Sequence, residues 1–155
     1  MKKYYMTLAA VLVTANVSAA ITEQTWGDWF GNTGGMEFAL NSMNKAGEQL
    51  TLSCSNHQMI VTYQQLKDNY SATSVEGMRD VYLLINGKKY DLDNDLPLKG
   101  EVIPAQVAFE ALKQTGPKDN IAFTALQSGE SKPFSARGLR QALKTVSWQD
   151  CMDQP

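Results

Sequence analysis

The chain has 155 residues, with 14 basic and 16 acidic side chains, one histidine and a formal net charge of −2. That length supports one domain with a real core and hardly two. So mildly acidic a balance lacks the basic footprint of sequence-independent nucleic-acid binding, and no glycine-rich phosphate loop is present.

Met1-Lys2-Lys3 opens the chain with positive charge, and an uncharged, mainly apolar run follows from Met6 to Val17. Val17-Ser18-Ala19-Ala20 then supplies small residues of the kind a signal peptidase accepts. Charged start, apolar middle and small-residue end predict a secretory signal peptide over residues 1–20, cleaved after Ala19 or Ala20. The run falls short of the roughly 20 apolar residues a bilayer span needs. No second stretch approaches that length, so the mature form is expected to have no membrane span. The two-lysine start is of bacterial type, which makes the periplasm the expected compartment. Loss of Lys2 and Lys3 leaves 12 basic against 16 acidic residues, a charge of −4, in a single soluble domain over residues 21–155.

Residues 21–35 place Trp26, Trp29 and Phe30 among glycines and polar residues. Such a cluster either plugs the end of a β structure or forms an exposed patch for a partner or a sugar. Alternation begins at Met36, Phe38 and Leu40, continues at Leu50, Leu52 and Cys54, and a third strand is predicted over residues 59–63. These three suggest an antiparallel meander, followed by a polar loop over 65–79. Asn86-Gly87 then lies between Val81–Ile85 and Lys88–Leu92, the strongest short hairpin signature, because a type I′ turn needs positive φ at both central residues. That register sets Leu83 opposite Tyr90 and Val81 opposite Leu92.

Pro104 suits a first helical position, and Ala105, Ala108, Phe109 and Leu112 follow at helical spacing until Gly116-Pro117 stops them. Residues 121–126 return to strand, 128–133 turn, and Leu139, Ala142, Leu143 and Val146 mark a C-terminal helix. The expected fold is α+β: mainly antiparallel β, as a meander or sandwich, with one helix after strand pair 81–92 and one at the C-terminus.

Cys54 and Cys151 are the only cysteines, and in an oxidising compartment an even count reads as a disulfide framework with one possible pairing. His57 follows Cys54 by three residues, which is at most half of a zinc site, and no metal or cofactor is expected. Asp91, Asp93 and Asp95 alternate like the opening of a calcium loop, but Leu96 and Val102 stand where its Gly and Glu belong. Ser42-Met43-Asn44-Lys45 matches a Ser-x-x-Lys nucleophile motif without its companion elements. A hydrolase built on His57 would need partners that the sequence does not mark. Arg137, Arg140 and Lys144 put a basic stripe on the last helix, either a solvated face or a docking surface for an acidic partner or an anionic envelope polymer. Ser128-Gly129-Glu130-Ser131 is a loop through which an inhibitor could engage a hydrolase such as a lysozyme.

Several segments in order carry a family resemblance: an early Trp, Leu50-Thr51-Leu52-Ser53-Cys54, Val81-Tyr82-Leu83-Leu84-Ile85-Asn86-Gly87, and Phe134-Ser135-Ala136-Arg137-Gly138-Leu139-Arg140-Gln141-Ala142-Leu143 ahead of Cys151. Together they resemble the periplasmic accessory proteins associated with type VI secretion systems. The resemblance implies a non-enzymatic envelope role, and no functional residue carries over with it. The aromatic cluster and the basic stripe supply the candidate binding surface: Trp26, Trp29, Phe30, Arg137, Arg140 and Lys144. The expected partner is an envelope protein or a cell-wall component.

Overall fold

A computed structural model describes residues 23–34, 38–75, 80–95 and 100–153. The leader and Met36 lie outside the described residues. Six strands succeed one another in an antiparallel meander: β1 (Gln24–Trp26), β2 (Trp29–Asn32), β3 (Ala39–Met43), β4 (Glu48–Ser55), β5 (Gln58–Gln65) and β6 (Tyr70–Thr73). Period-two patterning fixes their register. Leu50, Leu52 and Cys54 of β4 pair with Tyr63, Val61 and Met59 of β5, so one apolar row faces another and all six are buried. A one-residue slip would turn every one of them to solvent.

The second sheet comprises β7 (Tyr82–Ile85), β8 (Lys88–Asp91), β9 (Asn120–Ala125), β10 (Gly129–Glu130) and β11 (Phe134–Ser135), in the order β10-β9-β7-β8 with β11 also on β9. Asn86 and Gly87 hold φ of 49° and 80°, as a type I′ turn demands, and Leu83 pairs with Tyr90. The turn is also tied to its neighbour strand: the Asn86 side-chain oxygen accepts from the Asn120 amide, and its nitrogen donates to Asp119.

The apolar faces of the two sheets meet in one core. Tyr63 of the first stacks on Phe123 of the second with ring centroids 5.3 Å apart. Helix α1 (Pro104–Lys113) buries Ala105, Ala108, Phe109 and Leu112, the four residues its periodicity singles out. The Phe109 ring lies 6.1 Å from Phe38 and 5.8 Å from Trp148, joining the helix to the first sheet and to the C-terminal segment. Each such aromatic contributes about 1.5–3 kcal/mol through burial.

Cys54 and Cys151 form a disulfide that ties β4 to the last helix. The C-terminal stripe Leu139, Ala142, Leu143 and Val146 is buried as expected, but two short helices replace one. Helix α2 (Leu139–Ala142) ends after one turn, and α3 (Trp148–Met152) starts afresh at Ser147. There the Ser147 hydroxyl accepts from the Asp150 amide while the Asp150 carboxylate accepts from the Ser147 amide. That reciprocal capping box makes a new helix start cheaper than continuing through Thr145 and Val146.

The larger departure is in the first sheet, which has twice the strands the alternation suggests. Trp26-Gly27-Asp28-Trp29 is a hairpin turn with Gly27 at φ 58°, so the aromatic cluster forms β1 and β2. The stretch expected as loop contributes β6, where Ala72 sits against Tyr63 and is buried.

Candidate functional site

The six residues singled out for a binding surface do not share one. Trp29 is fully buried, and its indole nitrogen donates to the Ser135 carbonyl at 2.8 Å. It belongs to the core, because only inward positions of β2 can close the gap between the sheets. Trp26 is half-buried against the same core, and Phe30 stands half-exposed on the opposite face of the sheet.

Arg137 is not on a helix, and its side chain, 61% exposed, is already paired. It precedes α2, and its guanidinium grips Asp28 through Nη2 to Oδ1 at 2.6 Å and Nε to Oδ2 at 3.1 Å. The Asp28 amide donates to the Arg137 carbonyl at 2.9 Å, and the Ser42 hydroxyl donates to the Asp28 carbonyl. These contacts clamp the β1–β2 turn onto residues 135–138. The Arg137 guanidinium, then the Ser135 hydroxyl, hold the Asp28 carboxyl below its ordinary value. Arg140 and Lys144 stay together, lining a shallow hollow of about 440 Å³ with Thr115, Pro117 and Ala136.

The residues that matched catalytic or metal templates are engaged in the fold. Ser42 is buried and spends its hydroxyl on the Asp28 carbonyl. His57 occupies the turn between β4 and β5 at φ 60°, and its Nδ1 bonds the Met152 carbonyl of α3, so it straps the disulfide-bearing helix. Asp91 and Asp93 accept from the amides of Asp93 and Asp95, turning each carboxylate onto its own backbone. Among the described residues no group of three His, Cys, Asp or Glu side chains could hold a metal ion, and no helix is long and apolar enough to cross a membrane. The loop at 128–131 is anchored by Ser131, buried, whose Oγ accepts from the Phe123 amide. Ahead of it Leu126 projects, 66% exposed.

Two surface features remain. One is a cleft of about 400 Å³ between the sheets, with Asp80, Asp91, Asp93 and Asp95 around Tyr82 and Gln58. The other is the outer face of the six-stranded sheet. Register places Thr25, Phe30, Asn41, Thr51, Thr62 and Thr73 in one row across all six strands. None of the six is buried. The Thr51 hydroxyl donates to Asn41 at 2.7 Å, and the Gln49 amide reaches the same oxygen at 3.2 Å. Parallel rows carry Gln49, Gln64 and Ser71 on one side and Asn32, Ser53 and Ile60 on the other. No outward-facing residue of these strands is an Asp, Glu, Lys, Arg or His. No family model, no curated protein and no solved structure matches this chain.

Proposed function

We propose that this protein is exported to the periplasm, loses its leader after Ala19 or Ala20, and acts there as a non-catalytic accessory protein that binds an envelope component or an envelope protein. The observation that carries the reading is the outer face of the six-stranded sheet, a broad, half-exposed surface whose polar side chains serve no core. The disulfide supports the compartment, because such bridges persist in oxidising environments. The engagement of Ser42 and His57 by backbone carbonyls supports binding over hydrolysis, since among the described residues neither hydrogen-bonds an acid or base side chain. The sequence resemblance favours a place beside a secretion or transfer machine.

Cell fractionation with N-terminal sequencing, followed by co-sedimentation of the mature chain with isolated envelopes, tests the proposal. Processed protein starting at residue 20 or 21 in the periplasmic fraction, and pelleting with envelopes, is the expected result. An unprocessed cytoplasmic chain, or a mature chain that stays in the supernatant, overturns it.

The exposed Leu126 just ahead of the anchored loop favours one second reading, insertion of the loop at 128–131 into the cleft of a hydrolase such as a lysozyme. Inhibition lost on Leu126→Ser is its expected signature, and absence of inhibition across lysozyme classes removes it.

A further inference from the structure

The outer face of the first sheet is distinguished by what its chemistry leaves out. Charged residues make up 19% of the chain, so a face of this extent would carry about three at that average. Here six adjacent strands present none. What they do present is a lattice of hydroxyls and carboxamides with a few apolar bodies, Phe30, Ile60 and Met43, among them. Ser53 and Thr62 lie half-exposed on this face, so their hydroxyls are within reach of solvent.

Each candidate occupant can be weighed against that surface. An anionic polymer or a charged protein patch would shed water from its ions and meet no counter-charge, a costly exchange. A purely apolar surface would bury the hydroxyls and amides without partners, at about 1–3 kcal/mol for each group left unsatisfied. A second copy or another protein faces a limit of area. Five inter-strand spacings of ~4.8 Å give a width of about 24 Å, and the eight-residue β4 and β5 give a length of similar size. The sheet narrows toward the three-residue β1 and the four-residue β6, so the usable patch is on the order of 400–500 Å². A standard protein interface buries about 800 Å² on each side and is anchored by Trp, Tyr or Arg. This face carries none of those three residues.

A neutral polyhydroxylated chain meets every condition. Its hydroxyls both donate and accept, as Thr, Ser, Asn and Gln do, and its C–H faces can lie on Phe30 and Ile60. It brings no charge to desolvate, and an extended polymer crosses the ~24 Å row without needing a large rigid interface. We propose that the row Thr25, Phe30, Asn41, Thr51, Thr62 and Thr73 is a binding platform for a neutral glycan chain lying across the strands. This inference rests on the envelope-binding reading above and names the component.

Affinity electrophoresis of the oxidised mature chain tests it, in gels containing hydroxyethylcellulose, xyloglucan, N-acetylglucosamine oligomers or, as the anionic control, alginate. Retardation by at least one neutral polymer, unchanged between about 50 and 500 mM salt because no ion pairs are involved, is expected. Ser53→Lys and Thr62→Glu, each placing a charge on the face, should weaken binding about tenfold or more with the thermal midpoint held. Lys118→Ala, exposed in the turn after α1 and away from the face, should bind like the parent. No retardation in any neutral gel, retardation by alginate alone, or binding indifferent to both face variants overturns the platform. Co-sedimentation that persists in parent and face variants alike but is abolished by protease treatment of the envelopes would leave the accessory role standing and point to a protein partner. Loss of all envelope binding would remove both.

Discussion

Gly138 and Gly27 show how tightly the two halves of the fold are closed. At Gly138, φ is 93° and an added Cβ would lie 1.9 Å from the Trp26 carbonyl oxygen; at Gly27 it would lie 2.5 Å from that of Arg137. Backbone meets backbone there with no side chain between, so neither neighbour can yield. Gly138→Ala should lower unfolding free energy by about 2–4 kcal/mol in urea titration, and a loss below about 0.5 kcal/mol would show that the contact is not made. Asp28 of this clamp and two carboxylates elsewhere give the protein an acid limb. Asp28, Asp119 and Asp150 all titrate below the ordinary carboxyl range. The chief causes are the Arg137 guanidinium for the first, the Asn86 amide for the second and the Ser147 backbone amide for the third. Because each folded value lies below the unfolded one, near 3.9, the stability they contribute is present above about pH 4 and is lost as pH falls through the folded values. Denaturation midpoints should therefore fall on acidification below about pH 4, and Asp28→Asn should make that slope shallower. An identical slope in the variant would place the clamp's ion pair among those without effect on stability.

At the scale of elements, the break between α2 and α3 depends on one cap. Ser147→Ala removes the acceptor for the Asp150 amide and should cost about 1 kcal/mol, read as a lowered thermal midpoint, whereas Ser147→Asp should restore most of it. Retention of full stability by the alanine variant would mean that α3 is held by the disulfide and Trp148 alone. Ser-x-x-Asp was present in the sequence as a helix start, yet the stripe from Leu139 to Val146 masks it, since buried apolar spacing is the same for one helix or two. The hairpin at Asn86-Gly87 and helix α1 were legible because turn chemistry, periodicity and burial agree there. The β1–β2 hairpin is announced by Gly27-Asp28 between aromatics, a signal overshadowed by the composition around it. Tyr70–Thr73 is too short for alternation to register and is a strand because β5 offers it an edge. The outer face was not legible at all. Each strand's polar half reads as ordinary solvent-facing residues, and only the register of six strands sets Thr51 beside Thr62 and Asn41. Of the residues picked for a surface, Phe30 alone lies on it. Aromatic and basic residue types cannot say which face they occupy, and Trp29 and Arg137 are consumed in closing the fold.

For the whole molecule, the disulfide and the clamp act at different points of the same closure. Residues 54 and 151 are 97 apart in sequence, so the bridge spans β5, β6, the whole second sheet and α1. In the chain-entropy account a loop of that size stabilises by about 4–5 kcal/mol, mostly by restricting the unfolded chain. Domains of this size have about 5–15 kcal/mol in total, so the bridge is a large share of it. The non-covalent contacts at the same place are modest by comparison: the His57 bond to the Met152 carbonyl is exposed, and such a bond contributes about 1 kcal/mol. Reduction, or the pair Cys54→Ser and Cys151→Ser, should therefore lower the thermal midpoint by roughly 10–20 °C while leaving the folded spectrum intact below the transition. His57→Ala alone should shift it by only a few degrees. Equal midpoints for oxidised and reduced protein would show that the loop is already compact when unfolded, shifting the weight of stability onto the core around Phe109, Tyr63 and Phe123. A reduced chain with no folded baseline at all would show the opposite, that the two sheets do not hold together unless the last helix is fastened to β4. The expected intermediate result fits a protein whose sheets assemble from patterned strands and whose bridge fastens the last helix to the first sheet.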